Sequence, residues 1–171
     1  KHMSRNLILC GFMGSGKTTV GRRLAKILER PFLDIDAYIE EKQGMTITDI
    51  FAQQGEEAFR RMEREACAEL AARDGLIIGC GGGTVLREEN ARLLKQNGII
   101  LLLDVPLPLL QKRLRYDKKR PLLQKPNRAK VISDLYKERI PLYRAAADHR
   151  VRPRKTVYQT AQYIAHTYGQ L

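Results

Sequence analysis

Leu7-Ile-Leu-Cys10-Gly11-Phe-Met-Gly14-Ser15-Gly16-Lys17-Thr18-Thr19 is the stretch that decides the fold. Four apolar residues stop at a glycine, and beyond Lys17 the residues Val20, Leu24, Ile27 and Leu28 recur at helical spacing to about residue 29. The order is strand, glycine loop, helix. Residues 11–18 also satisfy G-x-x-x-x-G-K-[ST] in full. Glycines let the backbone curl so that successive N–H groups and the helix N-terminus face a phosphate, Lys17 reaches the terminal phosphates, and Thr18 offers a hydroxyl to Mg²⁺. Such a match arises by chance in roughly one percent or fewer of chains this long. An ordinary glycine turn leaves Lys17 and Thr18 unexplained. The chain is therefore expected to bind ATP or a similar triphosphate with Mg²⁺, through Gly14, Ser15, Gly16, Lys17, Thr18 and Thr19.

Outward from that loop, strands alternate with helices. Residues 32–36 read as a second strand ending in two acids, and residues 39–42 and 47–52 as short helices broken at Gly44 and Gly55. A longer helix covers about 56–73, with Phe59, Met62, Ala66 and Leu70 on one face. Residues 76–78 and 99–103 are unalternating apolar runs, as strands covered on both faces should be. Helices are expected at 88–96, 108–116, 128–147 and 156–168, with a short strand near 149–151. The pattern predicts an α/β fold: three layers, a central parallel sheet of about five strands flanked by helices, and ligands at the carboxyl ends of the strands. Residues 4–171 form one expected domain, and residues 1–3 read as a vector-derived remnant ending in the start Met.

Composition narrows the class. The chain has 171 residues, 43% hydrophobic and 29% charged, which fits a globular protein and not a disordered chain or coiled coil. Its formal charge is +12, and residues 110–155 hold 16 basic and four acidic side chains, so the whole imbalance sits in one stretch. Such a block implies an anionic partner. Apolar runs such as 99–103 are far too short to cross a bilayer, and no secretory signal pattern is present. Cys10, Cys67 and Cys80 are odd in number and form no C-x-x-C pair. Neither a disulfide framework nor a zinc site is supported, and a reducing cytoplasm is the expected compartment.

The phosphate loop alone does not separate kinases from GTPases and motor ATPases. An Asn-Lys-x-Asp guanine-reading element and an L-S-G-G-Q signature are both absent, so a small-molecule kinase leads. Asp34 and Asp36 follow a strand with one residue between them. One carboxylate can serve the metal while the other orients an acceptor hydroxyl and takes its proton, and Asp36 is also the expected cap of a helix from Ala37. Residues 117–127 carry Lys118, Lys119, Arg120 and Lys125 with two prolines, which suits a mobile lid at about 115–127.

These pieces together resemble the shikimate kinase family. The matching segments are residues 11–18, Phe32-Leu-Asp34-Ile-Asp36, Gly55-Glu-Glu-Ala-Phe59-Arg60, Gly81-Gly82-Gly83, Arg120-Pro-Leu-Leu123 and Arg139-Ile-Pro-Leu-Tyr143, in the family's order. The resemblance implies phosphorylation of the shikimate 3-hydroxyl by ATP, a step toward chorismate, in a monomer without nucleic-acid or membrane partners. Asp36 would bind shikimate, within a segment of about 34–62, and act as base; Asp34 would help Thr18 hold Mg²⁺. Arg60, Arg139 and the Gly81–Gly83 turn would grip the carboxylate, Arg120 would close over the phosphates with Lys17, and Arg113 would stack on adenine. Planar guanidinium forks suit a carboxylate independently of that likeness.

Two departures stand out. Val151-Arg152-Pro153-Arg154-Lys155 replaces the family's usual Val-Asp-Thr-Asp type of segment, leaving Arg152, Pro153 and Arg154 as adenine-side candidates, with Arg154 taken as the cofactor contact, and Cys80 stands where a small hydroxyl or alanine is usual. Asp104 reads as a strand-end residue near the nucleotide edge. A gluconate-type or nucleoside-monophosphate-type kinase shares the loop and lid. A nucleic-acid-binding ATPase would suit the basic block, but the 6% aromatic content and lack of Trp offer little for base stacking.

Overall fold

The computed structural model describes residues 4–171; the reading of residues 1–3 as a remnant lies outside them. Five strands, β1 (Asn6–Cys10), β2 (Phe32–Asp34), β3 (Ile77–Gly79), β4 (Gly98–Leu103) and β5 (His149–Val151), pair in the order β2-β3-β1-β4-β5. Every pairing is parallel, with Leu9 opposite Gly79 and Leu101. Around the sheet lie α1 (Lys17–Leu28), α2 (Ile35–Gln43), α3 (Ile47–Gln54), α4 (Glu56–Ala71), α5 (Glu88–Lys95), α6 (Leu107–Leu114), α7 (Arg128–Ala146) and α8 (Val157–Tyr168).

Strand periodicity splits the core in two. Ile8, Cys10, Ile78, Cys80, Ile100 and Leu102 face one side, where residues of α2 to α7 cover them. Leu7, Leu9, Ile77, Ile99, Leu101 and Leu103 face the other, against Val20 and Leu24 of α1 and Ala161 and Ile164 of α8. Both faces are covered, which is why the strands read as continuous apolar runs. The buried Asn6 side chain ties β1 to the end of α4, donating to the Leu70 and Arg73 carbonyls (3.3 and 2.8 Å) and accepting from the Leu76 N–H (2.8 Å).

Two expectations change. Helix α2 begins at Ile35, because the Asp34 carboxylate accepts from the Ala37 N–H (3.0 Å). Asp34 is therefore the cap, and Asp36 sits in the first turn with its carboxylate free for other work. The lid region is also more anchored than its polar composition suggests. It holds a 3₁₀ turn, Pro121–Leu123, whose Leu123 is fully buried. The Arg128 guanidinium bonds the carbonyls of Leu114, Arg115 and Leu123 (3.0, 2.8 and 2.8 Å), so one side chain clasps both ends of the segment.

Candidate active site

A cleft of about 650 Å³ opens at the carboxyl ends of the strands, lined by the glycine loop, Asp34, Asp36, the start of the triple glycine, Arg113, Arg120 and Arg154. The loop curls because Gly14 and Gly16 adopt φ values of 79° and 96°, in the left-handed region that only glycine enters freely. A Cβ on Gly11 would lie 2.7 Å from Ser15 Oγ and 3.1 Å from the Leu103 carbonyl. The buried Ser15 hydroxyl has no protein partner, and the first turn of α1 presents N–H groups that no internal acceptor meets. Those are the features of an anion cradle. Lys17 Nζ folds back onto the carbonyls of Gly11 (2.6 Å) and Phe12 (3.3 Å), and burial lowers its pKa from the usual lysine range.

The triple glycine brings the acceptor candidates together. A Cβ on Gly81 would sit 2.6 Å from Asp36 Oδ1, one on Gly82 3.6 Å from Arg139 Nη1, and one on Gly83 2.9 Å from Arg60 Nη1. A side chain at 81 or 83 would push aside the Asp36 carboxylate or the Arg60 guanidinium, so glycine there leaves both groups in place beside the turn. Arg60 is not the solvated helix residue that its neighbour Arg61 is. Its guanidinium meets Glu63 at 2.9 Å and Glu56 at 3.4 Å, and its buried Nε has no partner. Arg139 is half-buried on α7, while Asp134 on the same helix pairs with Lys130 (2.8 Å).

Glu63 and Thr84 of this region carried no sequence signal, and Tyr143 entered only as the last residue of a matching segment. Glu63, 1% exposed, accepts from Arg60 Nη1 and from Thr84 Oγ1 (2.9 Å each), and Thr84 Oγ1 accepts from the Gly81 N–H (3.0 Å). Tyr143, fully buried, donates to the Gly82 carbonyl at 2.6 Å. Burial, then the neighbouring charges of Asp34 and Glu63, push Asp36 up to about 6, against the pull of Lys17. A carboxyl so placed is ionised at neutral pH yet basic enough to accept a proton.

Hard oxygen donors at the cleft fit Mg²⁺. One Asp34 oxygen caps α2 and the other remains available; Thr18 stands exposed on the cleft wall, whereas the Thr19 hydroxyl turns back to the Gly16 carbonyl (3.1 Å). Among the described residues no three metal-ligating acids, histidines or cysteines converge, which suits an ion that takes its other ligands from phosphates and water. Cys80 is a buried thiol at the cleft wall, held well above the usual thiol range by burial.

On the nucleotide side, Arg113 donates to the Gly14 carbonyl (2.9 Å), and Arg154 stacks on the Tyr163 ring at 3.8 Å while its Nη1 meets the Arg152 carbonyl (2.9 Å). Both line the cleft mouth. Arg120 lines it too, with its guanidinium paired to Asp117, whose carboxylate also accepts the N–H groups of Lys119 and Arg120 (3.0 and 2.9 Å). Asp104 does not face the nucleotide edge: it is buried beside Arg150 (2.7 Å) and Arg144 (3.6 Å), joining β4, β5 and α7.

A phosphate loop leading into a cleft with a half-buried carboxylate and two converging arginines defines a P-loop phosphotransferase acting on a small anionic acceptor. Known proteins agree. The shikimate kinase family model matches residues 13–168. The shikimate kinase of Psychrobacter cryohalolentis is 45% identical over 153 residues, covering 90% of this chain and 82% of that one; that of Sulfurihydrogenibium sp. is 43% identical over 160 residues, covering 94% and 95%. A solved structure of shikimate kinase from Acinetobacter baumannii in complex with shikimate superposes with a TM-score of 0.86 at 43% identity, covering 95% of this chain and 92% of that one. This chain belongs to the shikimate kinase family. A gluconokinase from Sinorhizobium meliloti shares the fold, with a TM-score of 0.57 at 15% identity.

Proposed function

We propose that this chain transfers the γ-phosphoryl group of ATP to the 3-hydroxyl of shikimate, giving shikimate 3-phosphate and ADP. The observation that carries the reading is the glycine turn, whose three successive positions abut Asp36, Arg139 and Arg60. One carboxylate and two guanidinium groups suit a small acid with hydroxyls. Each charge-assisted hydrogen bond to its carboxylate is worth roughly 1.5 to 3 kcal/mol. Without such partners, burying that charge would be prohibitive.

Asp36 orients the acceptor hydroxyl and takes its proton, a role that contributes about 10²- to 10⁴-fold in rate. The loop amides from Gly14 to Thr19 hold the phosphates. Lys17 leaves the Gly11 carbonyl to reach the terminal phosphate, and Arg120 leaves Asp117 for the charge that builds during transfer. Arg113 and Arg154 hold the adenine side, and the lid, clasped at its ends by Arg128, excludes water. Mg²⁺, bound by Thr18 and Asp34 with phosphate oxygens and water, would supply charge neutralisation on the phosphates. The basic block then serves lid, nucleotide and carboxylate, and adds a field that draws two anions to one cleft. We read the enzyme as a cytoplasmic monomer; among the described residues no helix is long and apolar enough to cross a membrane. The test is ³¹P–¹H correlation NMR of the product, with the phosphate expected on O3; phosphate on any other hydroxyl would overturn the acceptor geometry.

A further inference from the structure

Three consecutive glycines are the least self-determining stretch a backbone can have, since each visits a wide range of φ and ψ at little penalty. Yet Gly81–Gly83 must hold one shape to abut Asp36, Arg139 and Arg60 at once. Two hydroxyls fix it. Thr84 Oγ1 accepts from the Gly81 N–H (3.0 Å) at one side, and Tyr143 Oη donates to the Gly82 carbonyl (2.6 Å) at the other.

The second bond has a directional consequence. A trans peptide is planar, so drawing the Gly82 carbonyl toward α7 aims the Gly83 N–H the opposite way. Neither the Gly82 nor the Gly83 N–H meets a protein acceptor among the described residues, so both remain as donors. Tyr143 also stands one helical turn beyond Arg139 on α7, where residues four apart share a face, and the two side chains approach Gly82 together. Burial, moderated by Arg139, holds the Tyr143 phenol up at about 12, so it stays a donor throughout the working pH range.

Resting on the acceptor site proposed above, we propose that Tyr143 is a positioning residue for the substrate carboxylate. Its hydroxyl orients the Gly82–Gly83 peptide and keeps the free amides of the turn in register with the Arg139 guanidinium. It touches neither substrate nor ATP and acts through the turn.

Steady-state kinetics of Tyr143→Phe test this, with Tyr168→Phe as a control that alters another buried tyrosine on the opposite face of the sheet. Losing one buried hydrogen bond should raise shikimate KM about 5- to 30-fold, while ATP KM stays within about twofold. Tyr168→Phe should leave both constants unchanged. A purely structural tyrosine would instead lower Tm and leave shikimate KM where it was, which overturns the proposal. Should Tyr143→Phe fold poorly, two fillers of the same volume decide. Tyr143→4-aminophenylalanine, which keeps a donor, should return shikimate KM to within about threefold of wild type, and Tyr143→4-methylphenylalanine should not. Equal KM values for those two overturn it as well. Wild-type enzyme that ignores shikimate sinks the acceptor reading and this one together; wild-type turnover beside an unchanged Tyr143→Phe KM removes Tyr143 alone.

Discussion

Replacing Asp36 with asparagine should make the protein more stable at neutral pH and nearly inactive. Asp36 lies half-buried beside Asp34 and Glu63, and its pKa rises from 3.8 to about 6. A carboxyl whose pKa is raised by folding favours the native state while protonated; that contribution is intact below the unfolded pKa and is lost as pH climbs through the folded one. Two pKa units correspond to roughly 3 kcal/mol, a ceiling here because the cleft is open to water. Asparagine keeps the shape without the charge. Asp36→Asn should therefore gain up to about 3 kcal/mol at pH 7.5, a Tm rise of roughly 5–10 °C for a domain of this size, shrinking below about 1 kcal/mol at pH 4. Thermal melts of both proteins at pH 4, 5, 6 and 7.5 without ligands measure it. Turnover should drop about 10²- to 10⁴-fold with ATP affinity retained. A stability difference that is absent at pH 7.5, or that does not vary with pH, would refute the argument from burial and like charge.

Three further outcomes follow from particular contacts. Arg139→Ala should raise shikimate KM at least about tenfold, since it removes a charge-assisted bond, and leave ATP KM alone; steady-state kinetics with each substrate varied check this. Asp117→Asn releases the Arg120 guanidinium from its partner in the lid, so ATP KM should fall or hold while lid-segment amide exchange quickens; a sharp rise in ATP KM would contradict an Arg120 that must leave Asp117 to act. Asn6→Ala leaves the Leu76 N–H without its acceptor, while the Leu70 carbonyl keeps the Arg73 N–H (3.1 Å) and the Arg73 carbonyl keeps Asn97 (2.9 Å), so denaturant unfolding should show a loss of about 1–3 kcal/mol with unchanged kinetics.

Much of this molecule is visible in its sequence, for physical reasons that also mark where reading stops. The strands β1 and β4 announce themselves because two-sided burial demands unbroken apolar runs, and the phosphate loop because only glycine tolerates its dihedrals. Asp34 and Asp36 could be paired with the loop, but the cap fell to Asp34 and not to the expected Asp36, since which carboxylate caps α2 depends on where the helix starts. Asp104 looked like a nucleotide-edge residue because strand ends usually face the cleft; Arg150 and Arg144, distant in sequence, turn it into an ion-pair centre. Leu123 and Arg128 anchor a segment whose composition is that of a free loop. Glu63 and Thr84 are invisible to periodicity and motif alike, and Tyr143 ends a matching segment without showing its role, because the Glu63–Thr84 and Tyr143–Gly82 contacts join residues 21 and 61 positions apart.

Shikimate, and not another small hydroxylated acid, is the expected phosphoryl acceptor. ADP release from ATP and Mg²⁺, coupled to NADH oxidation, with shikimate, gluconate, AMP or single-stranded DNA added in turn, measures it directly. Turnover that depends on shikimate, with only background release in the other three, is the predicted result; release driven by gluconate, AMP or DNA while shikimate has no effect would contradict it.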